Sequence, residues 1–226
     1  GISSSGTASI GTSNMDLNLS ASGTGSVTIN QIKTNSVTGE VIPGKIEGTN
    51  FTDSILIGHS TTGTLSTAQY NTGVGIGALD ALTSGQLNTT LGFNAGSSLT
   101  TGRQNVGIGA WTLKASDGAV GNTAVGTYSQ KDSTGAAIYN TSLGFDSLQD
   151  VTGDYNIGIG KGAGRYITSG DGNVIIGGGD GGAATLYSAT GDKQLIIADG
   201  VDGSVVWLTG DSAGLVTMSG GISTPT

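Results

Sequence analysis

The stretch NTGVGIGALDALTSGQLNTTLGFNAGSSLTTGRQNVGIGA, residues 71–110, repeats one short phrase. Each copy reads Asn, then Thr, Val or Ile, then any residue, then Val, Leu or Ile, then Gly. The copies begin 16 to 18 residues apart, at Asn71, Asn88, Asn105, Asn122, Asn140, Asn156 and Asn173. The closing glycines are Gly75, Gly92, Gly109, Gly126, Gly144, Gly160 and Gly177. An earlier copy has Ser54 in place of Asn. Similarity at a fixed period indicates a repeat architecture.

Two further places recur in each unit. A small residue stands seven places after the Asn: Ala78, Ala95, Thr112, Ser129, Ser147 and Ala163. Four places later come Leu82, Leu99, Ser116, Ser133, Val151 and Ile167, usually followed by a Thr-containing turn that ends in Gly. Each unit therefore predicts a short strand, a bend, a second extended piece and a turn.

The strand phrase also predicts which side chains share a face. Residues two apart in a strand point the same way, as Thr89 and Leu91 do, and Val106 with Ile108. We expect this pair of places to form the buried face, because the residue between them is mostly small and would let another backbone approach. Units stacked one strand spacing apart, about 4.8 Å, would turn these pairs into a continuous apolar ladder. This is a solenoid pattern.

The repeated Asn has a predicted structural role rather than a ligand-binding one. Asn tolerates positive φ, and identical Asn side chains in adjacent coils can hydrogen-bond to one another. A single coil is expected to be too narrow to form, from its own Val, Leu and Ala, a core that excludes water, so we expect three identical chains to pack their apolar ladders against one another. The predicted fold is all-β: a β-solenoid or β-roll of about 17-residue units, built as a parallel homotrimeric fibre with β-strand caps at both ends.

Three segments are predicted. Residues 1–50 form an N-terminal β-strand segment and connector, with alternating Met15, Leu17 and Leu19 before a Gly turn, and Val27 and Ile29 after it. Residues 51–182 form the Asn/Gly repeat solenoid. Residues 183–226 form a C-terminal antiparallel β cap, with short apolar strands at 195–197, 205–208 and 215–216.

Composition excludes several functions. The chain has no Cys, so it has neither disulfides nor thiol chemistry. Sixteen acidic residues against eight basic ones give a net charge of −8, and Lys and Arg are not clustered, so we expect no nucleic-acid partner. No apolar run approaches the roughly 20 residues that span a bilayer, so we expect no membrane insertion.

The sequence offers little for catalysis or cofactor binding. His59 is the only histidine and we interpret it as a surface or turn residue. Asp171, Asp180 and Asp192 have turn contexts, although GGGDGG faintly resembles a calcium-binding glycine/aspartate repeat. Residues 177–182 formally fit G-x-G-x-x-G, but no helical pattern follows, and Lys161 precedes Gly162 rather than Ser or Thr. We expect no enzyme, no metal and no cofactor.

The aromatic residues leave two interpretations open. Phe93, Trp111, Tyr128 and Phe145 lie one or two places after repeat glycines. They fit wedges between subunits, which we favour, or an exposed stripe that stacks on sugars. Trp111 with Tyr128 is the candidate glycan-contact patch.

The units NTGVGIGALDALTSG and NTTLGFNAGSSLTTG resemble repeats in tail fibres and related structural proteins of tailed bacteriophages, especially marine and cyanobacterial ones. The flanks MDLNLSASGTGSVTI and KQLIIADGVDGSVVWLTGDSAG are similar to segments that border such repeats. The head repeats of trimeric autotransporter adhesins are a more distant likeness, from which this chain departs in unit length. The resemblance implies a trimeric β-roll.

The leading hypothesis is a non-enzymatic structural component of a phage virion fibre, serving as shaft or connector and contributing to host attachment. Its expected partners are copies of itself in a homotrimer, other virion proteins and a host-cell surface glycan, and its expected location is the virion tail or fibre. The alternatives are a trimeric adhesin on the bacterial cell surface and a polysaccharide-degrading tailspike. The tailspike requires a cleft that carries paired carboxylates.

Overall fold

The computed structural model describes residues 44–46, 48–59, 62–178, 188–201 and 204–219. The strands and connector predicted before Gly44 lie outside these ranges, as does Asp180. The described residues form no helix. Their strands are β1 (Gly44–Ile46), β2 (Phe51–Thr52), β3 (Ile55–Ile57), β4 (Ala68–Gln69), β5 (Thr72–Val74), β6 (Thr89–Leu91), β7 (Val106–Ile108), β8 (Thr123–Val125), β9 (Thr141–Leu143), β10 (Ile157–Ile159), β11 (Val174–Ile176), β12 (Leu195–Ala198), β13 (Val206–Gly210) and β14 (Val216–Met218).

The repeat phrases form the rungs of one long sheet. Strands β3 and β5 to β12 pair in parallel in chain order, and the same places of successive units lie opposite one another. The chain thus winds through about eight turns of about 17 residues, which confirms the predicted β-solenoid. A second column of single parallel bridges runs through Gln69, Gln86, Arg103, Val120 and Ile138. One chain closes each coil by itself.

The prediction of which strand face is buried was wrong. The middle residue of each strand points inward: Thr90 and Ala124 are fully buried, whereas Leu91 is 48% exposed and Leu143 50%. The side chains alternate between the two faces as expected, but the buried face is the opposite of the predicted one. The interior of a coil is narrow, so the strand contributes small residues to it, and the larger pair of each strand points outward.

Leucines of the second extended piece fill the space above the small strand residues. A Cβ added to Gly73 would lie 3.4 Å from Leu79 Cδ1, and one added to Gly96 would lie 3.0 Å from Thr90 Cγ2. In the coils of Gly73, Thr90 and Gly107 a small residue on one wall therefore faces a larger one on the other, and the pairing swaps from each of these coils to the next. Such interdigitation gives an interior without large voids.

The coil also buries more apolar surface than we expected. One buried cluster contains Phe51, Leu56, Ala68, Leu79, Leu82, Leu99, Leu113, Ala119 and Ala124. A second contains Leu148, Val151, Ala163, Ile167, Ile175, Ile196 and Ala198. The expectation that a single coil could not hold a core from its own side chains was therefore wrong. Between the clusters the interior is polar, and Gln130 Nε2 donates to Ser142 Oγ over 2.8 Å.

The repeated asparagines form a buried hydrogen-bonded ladder. Asn105 Nδ2 donates to Asn88 Oδ1 (3.0 Å) and across the coil to the carbonyl oxygen of Ala119 (2.7 Å). Asn105 Oδ1 accepts the backbone N–H of Asn122 over 3.0 Å. All seven side chains are buried. Each of the six from Asn71 to Asn156 donates across its own turn and accepts a backbone N–H from the next turn.

Other residue types occupy the two ends of this ladder. Ser54 Oγ accepts the backbone N–H of Asn71 over 2.8 Å, in the place where the sequence predicted a substitute. Gln194 Nε2 donates to Asn173 Oδ1 (3.1 Å) and to the Gly191 carbonyl oxygen (2.8 Å). The sequence did not identify Gln194, because it follows Asn173 by 21 residues rather than 17.

The closing glycines form a column in which backbone lies against backbone. Their φ values run from 110° for Gly58 to 141° for Gly144, a region that other residues rarely adopt. A Cβ on Gly109 would lie 2.7 Å from the carbonyl carbon of Gly126 in the next coil. Any larger residue here would force the coils apart.

The stack ends differently on its two sides. Strand β1 lies antiparallel to β3 at the first coil. Strand β12 pairs in parallel with β11 on one side and antiparallel with β13 on the other, and β14 adds antiparallel to β13. The hairpin β13–β14 thus follows the last rung.

Replacing Gly109 with Ala tests the glycine column. The added methyl group meets the next backbone at a φ of 130°, so we expect a loss of about 3 kcal/mol in the free energy of unfolding. Denaturant titration of both proteins measures it. Gly200→Ala is the control, because a Cβ there meets nothing within 4 Å. Equal effects of the two substitutions would contradict the predicted close approach.

Replacing Asn105 with Ala tests the ladder. The change leaves the Asn122 N–H buried without its partner and removes one of the two donors to the Ala119 carbonyl oxygen, which still accepts the Arg103 N–H, so we expect a loss of about 1 to 3 kcal/mol. Thermal and denaturant unfolding report the change, with the exposed Thr101→Ala of the preceding coil as control. A variant as stable as the control would show that the ladder contributes little.

Candidate functional site

The most prominent surface feature is an apolar row on the outer face of the sheet. We call it the outer column: Ile57, Val74, Leu91, Ile108, Val125, Leu143, Ile159 and Ile176, the last residues of strands β3 and β5 to β11. Leu91, Ile108, Leu143, Ile159 and Ile176 are each more than a third exposed. Large apolar side chains exposed in one unbroken row are unusual on a monomeric surface.

A row of uncharged residues runs beside the outer column. It consists of the first residues of the same strands: Ile55, Thr72, Thr89, Val106, Thr123, Thr141, Ile157 and Val174. Their side chains share the outward face with the outer column, because the residue between them points inward. The outer face of the coils therefore carries one apolar row and one row of Thr, Val and Ile, and neither row contains a charged residue.

Aromatic pairs lie past the glycine bend that follows the outer column. The rings of Phe93 and Trp111 meet edge to face with centroids 5.0 Å apart, and those of Tyr128 and Phe145 do so at 5.7 Å. Lys114 Nζ lies 4.9 Å from the Trp111 ring centroid. The candidate glycan residues Trp111 and Tyr128 are thus partly covered by their own neighbours. Phe93 and Phe145 are the more exposed members of the two pairs.

A second aromatic feature was not identified from the sequence. Tyr139 and Tyr155 each directly precede a ladder asparagine and have φ values of 56° and 58°. Their rings stack with centroids 5.4 Å apart, and about half of each side chain is exposed. Gly121 makes room for Tyr139, because a Cβ on Gly121 would lie 2.6 Å from the Tyr139 ring. The place before Asn was not singled out, because the other units hold Tyr70, Leu87, Gln104, Gly121 and Gly172 there.

His59 joins the first two coils rather than forming a reactive site. Its Nε2 lies 2.7 Å from the Ala78 carbonyl oxygen, and its Nδ1 lies 3.8 Å from Asp80 Oδ1. Both contacts are with the next coil. The side chain is only 11% exposed, and no turn is present at this residue, which differs from the surface or turn role predicted for it.

Acidic residues on the second extended piece form an electrostatic cluster. Asp132 Oδ2 accepts hydrogen bonds from Gln149 (3.0 Å) and Lys131 (3.1 Å). Burial opposes ionisation of Asp132, but these hydrogen bonds and the Lys131 charge outweigh it and hold the pKa of the carboxyl below its ordinary value. Burial raises the pKa of the Asp150 carboxyl, and the Asp132 charge raises it further. Pairs of carboxyl groups with opposite pKa shifts also occur in acid–base catalysis. Here the ionised carboxylate is Asp132, and its hydrogen bonds with Gln149 and Lys131 account for its low pKa.

An open cavity of about 420 Å³ lies near the last coil and the hairpin. It is lined by Asp192 and Asp211 together with Gln194, Thr209 and Thr217. Asp192 Oδ1 accepts the N–H of Asp171, and Asp211 Oδ1 accepts those of Ala213 and Leu215. Asp211 thus stabilises the turn between β13 and β14, whereas Asp192, like Asp171, joins successive coils rather than holding the turn that the sequence suggested. Their hydrogen bonds explain their positions without a reaction.

The described residues do not support a metal site or a phosphate-binding loop. Across those ranges no three His, Cys, Asp or Glu side chains group in a way that could hold a metal ion. Lys161 lies exposed in a turn with no helix following it, unlike the lysine of a phosphate loop. Within the same part of the chain, no helix has the length and apolar content needed to cross a membrane.

Comparison with known proteins finds no matching family model, no matching curated protein and no matching solved structure.

The two carboxyls of the acidic cluster predict opposite effects of charge removal. A pKa raised in the folded state means that the stability associated with Asp150 is full below its ordinary pKa and is lost as the pH rises. Asp150→Asn should therefore raise the melting temperature slightly at pH 7 and leave it unchanged near pH 3. Asp132→Asn should lower it at pH 7, because the pKa of Asp132 is depressed. Melting curves at both pH values test this, and changes of the same sign at pH 7 would contradict it.

Proposed function

We propose that this chain is a non-enzymatic structural component of a phage virion fibre, acting as a rigid shaft or connector. The observation that carries the proposal is the regular stack. Each coil is joined to the next through the sheet, the bridge column and the asparagine ladder. Eight strand spacings of about 4.8 Å give a rod of about 38 Å from this part of the chain alone. A rod of this kind sets distance and stiffness.

The chemistry of the described side chains supports a mechanical role over a catalytic one. The polar groups that would serve catalysis are used to join coils, as His59, Asp171 and Asp192 illustrate. The resemblance of the repeat units to phage fibre repeats supports placement in a virion tail or fibre. A homotrimer bound to other virion proteins is part of this proposal.

A trimeric adhesin of the bacterial surface is the second candidate. The stacked and half-exposed Tyr139 and Tyr155 favour it, since exposed aromatic rings offer stacking surfaces to sugar rings. Host attachment by a phage fibre would use the same surface. The two candidates therefore differ in where the protein resides rather than in what it contacts.

Immunogold labelling of purified virions tests the proposed location. Antibodies raised against the purified chain should label fibrous projections, and peptides of the chain should appear in the mass spectrum of purified particles. Antibody treated with excess purified chain is the control. Unlabelled particles together with labelled bacterial cells would favour the adhesin and overturn the proposal.

A further inference from the structure

We infer that copies of this chain pack against one another through the outer column, in parallel and with equivalent coils at equal height, and that this interface extends over the hairpin β13–β14. The inference rests on the proposed function, because it names the surface by which a fibre of identical chains would hold together. The partner at this interface is a second copy of the same chain.

The outer column does not stop where the repeat stops. Ile176 pairs with Ile197 of β12, Ile197 pairs with Leu208 of β13, and Leu208 pairs with Met218 of β14. Paired residues of adjacent strands have their side chains on the same face of a sheet. The apolar row therefore runs over eleven strands, from Ile57 to Met218.

This continuation is not explained by the fold of one chain. Between Asn173 and Gln194 the spacing changes from 17 to 21 residues, and after β12 the strand direction reverses. The interior at this end is filled by Ile196 and Ala198, and Val206 packs against them where the register between β12 and β13 shifts, between Ile197 and Ala198. Leu208 and Met218 face outward, where a polar residue would serve a monomer equally well. The apolar character of the face thus persists after the repeat that produced it has ended.

The size of the face suits an interface between copies. Ten strand spacings of about 4.8 Å give a length of about 48 Å, and three residue spacings from the first row to the glycine bend give a width of about 10 Å. The projected area of about 480 Å² is in the upper part of the range of the largest patch on a typical monomer, a size that is often functional. It is about 60% of the roughly 800 Å² that each partner buries in a standard interface.

Charge favours the same face. The chain carries a net charge of −8, so copies repel one another wherever acidic surfaces meet. The charged cluster of Lys114, Lys131, Asp132 and Asp150 lies on the second extended piece, past the glycine bend. The outer column and the row beside it carry no charged residue from Ile55 to Ile176. Close approach is least opposed there.

The parallel arrangement rests on the homotrimer of the proposed function. In a closed ring of three identical chains, a three-fold axis relates the copies by rotation alone. An axis parallel to the stack keeps every coil at the height of its equivalents in the other two chains. Each rung of the outer column then meets the same rung of its neighbours, and the three hairpins meet at one end.

A pair of charged double variants tests the inference. Leu91→Lys with Leu143→Lys places two charges in the outer column, and Thr101→Lys with Thr152→Lys places two charges at exposed positions on other sides of the same coils. Sedimentation velocity and light scattering over a range of concentrations give the native mass. Circular dichroism and melting curves verify folding. Met218→Lys tests the hairpin separately.

We expect three chains per particle for the unaltered protein and for the threonine double variant. The leucine double variant should be a folded monomer, and Met218→Lys should weaken association at least about tenfold, which corresponds to about 1.4 kcal/mol. An associated and folded leucine double variant would overturn the inference, as would a monomeric unaltered chain. Association unaffected by Met218→Lys would overturn its extension to the hairpin.

These outcomes are separable from failure of the proposed function. If antibodies against the chain label virion fibres but charges in the outer column do not change association, the proposed function stands and the proposed interface does not. A chain that associates through the outer column but is absent from virions keeps the interface and loses the proposed location.

Discussion

Close contact between glycine backbones of successive coils is the constraint on which the rest of the structure depends. At Gly109 the chain turns with a φ of 130°, and the next coil lies where a side chain would begin. Only glycine allows this turn at a strand spacing of about 4.8 Å. Because the coils are so close, the strand bonds, the bridge column and the asparagine ladder can all form together. The 17-residue unit is the length of chain that completes one such circuit.

Narrow coils determine how the apolar residues are distributed. In the middle coils, from β5 to β10, the interior has room for the leucines of one limb because the facing strand contributes Gly, Ala, Ser or Thr, whereas Leu56, Ile175 and Ile196 take this place in the strands at the two ends. The larger strand residues therefore point outward and form the outer column. A single chain thus satisfies its own interior and still presents a large apolar surface. This combination is what makes a rod of several chains physically reasonable.

Much of the architecture could be predicted from the sequence, and the part that could not has a physical cause. Period, strand positions, the substitution at Ser54 and the contact between stacked asparagines follow from identical residues at fixed spacing. The buried face of the strands was not predicted correctly. The size of Leu91 and Ile108 suggested that they are buried, whereas the small residue between them is the one that points inward. The alternation of Leu79, Gly96 and Leu113 against Gly73, Thr90 and Gly107 was the available signal. Tyr139, Tyr155 and Gln194 were missed because their roles depend on neighbours in other coils.

Intermolecular distances between spin labels test the central claim most directly. The chain contains no cysteine, so Thr89→Cys and Thr141→Cys each provide one labelling site in the row beside the outer column, three strands apart. For parallel copies at equal height we predict one narrow distance distribution, equal for both sites. Distances that differ between the sites would contradict the parallel arrangement. Absence of dipolar coupling at both sites would contradict association through this face.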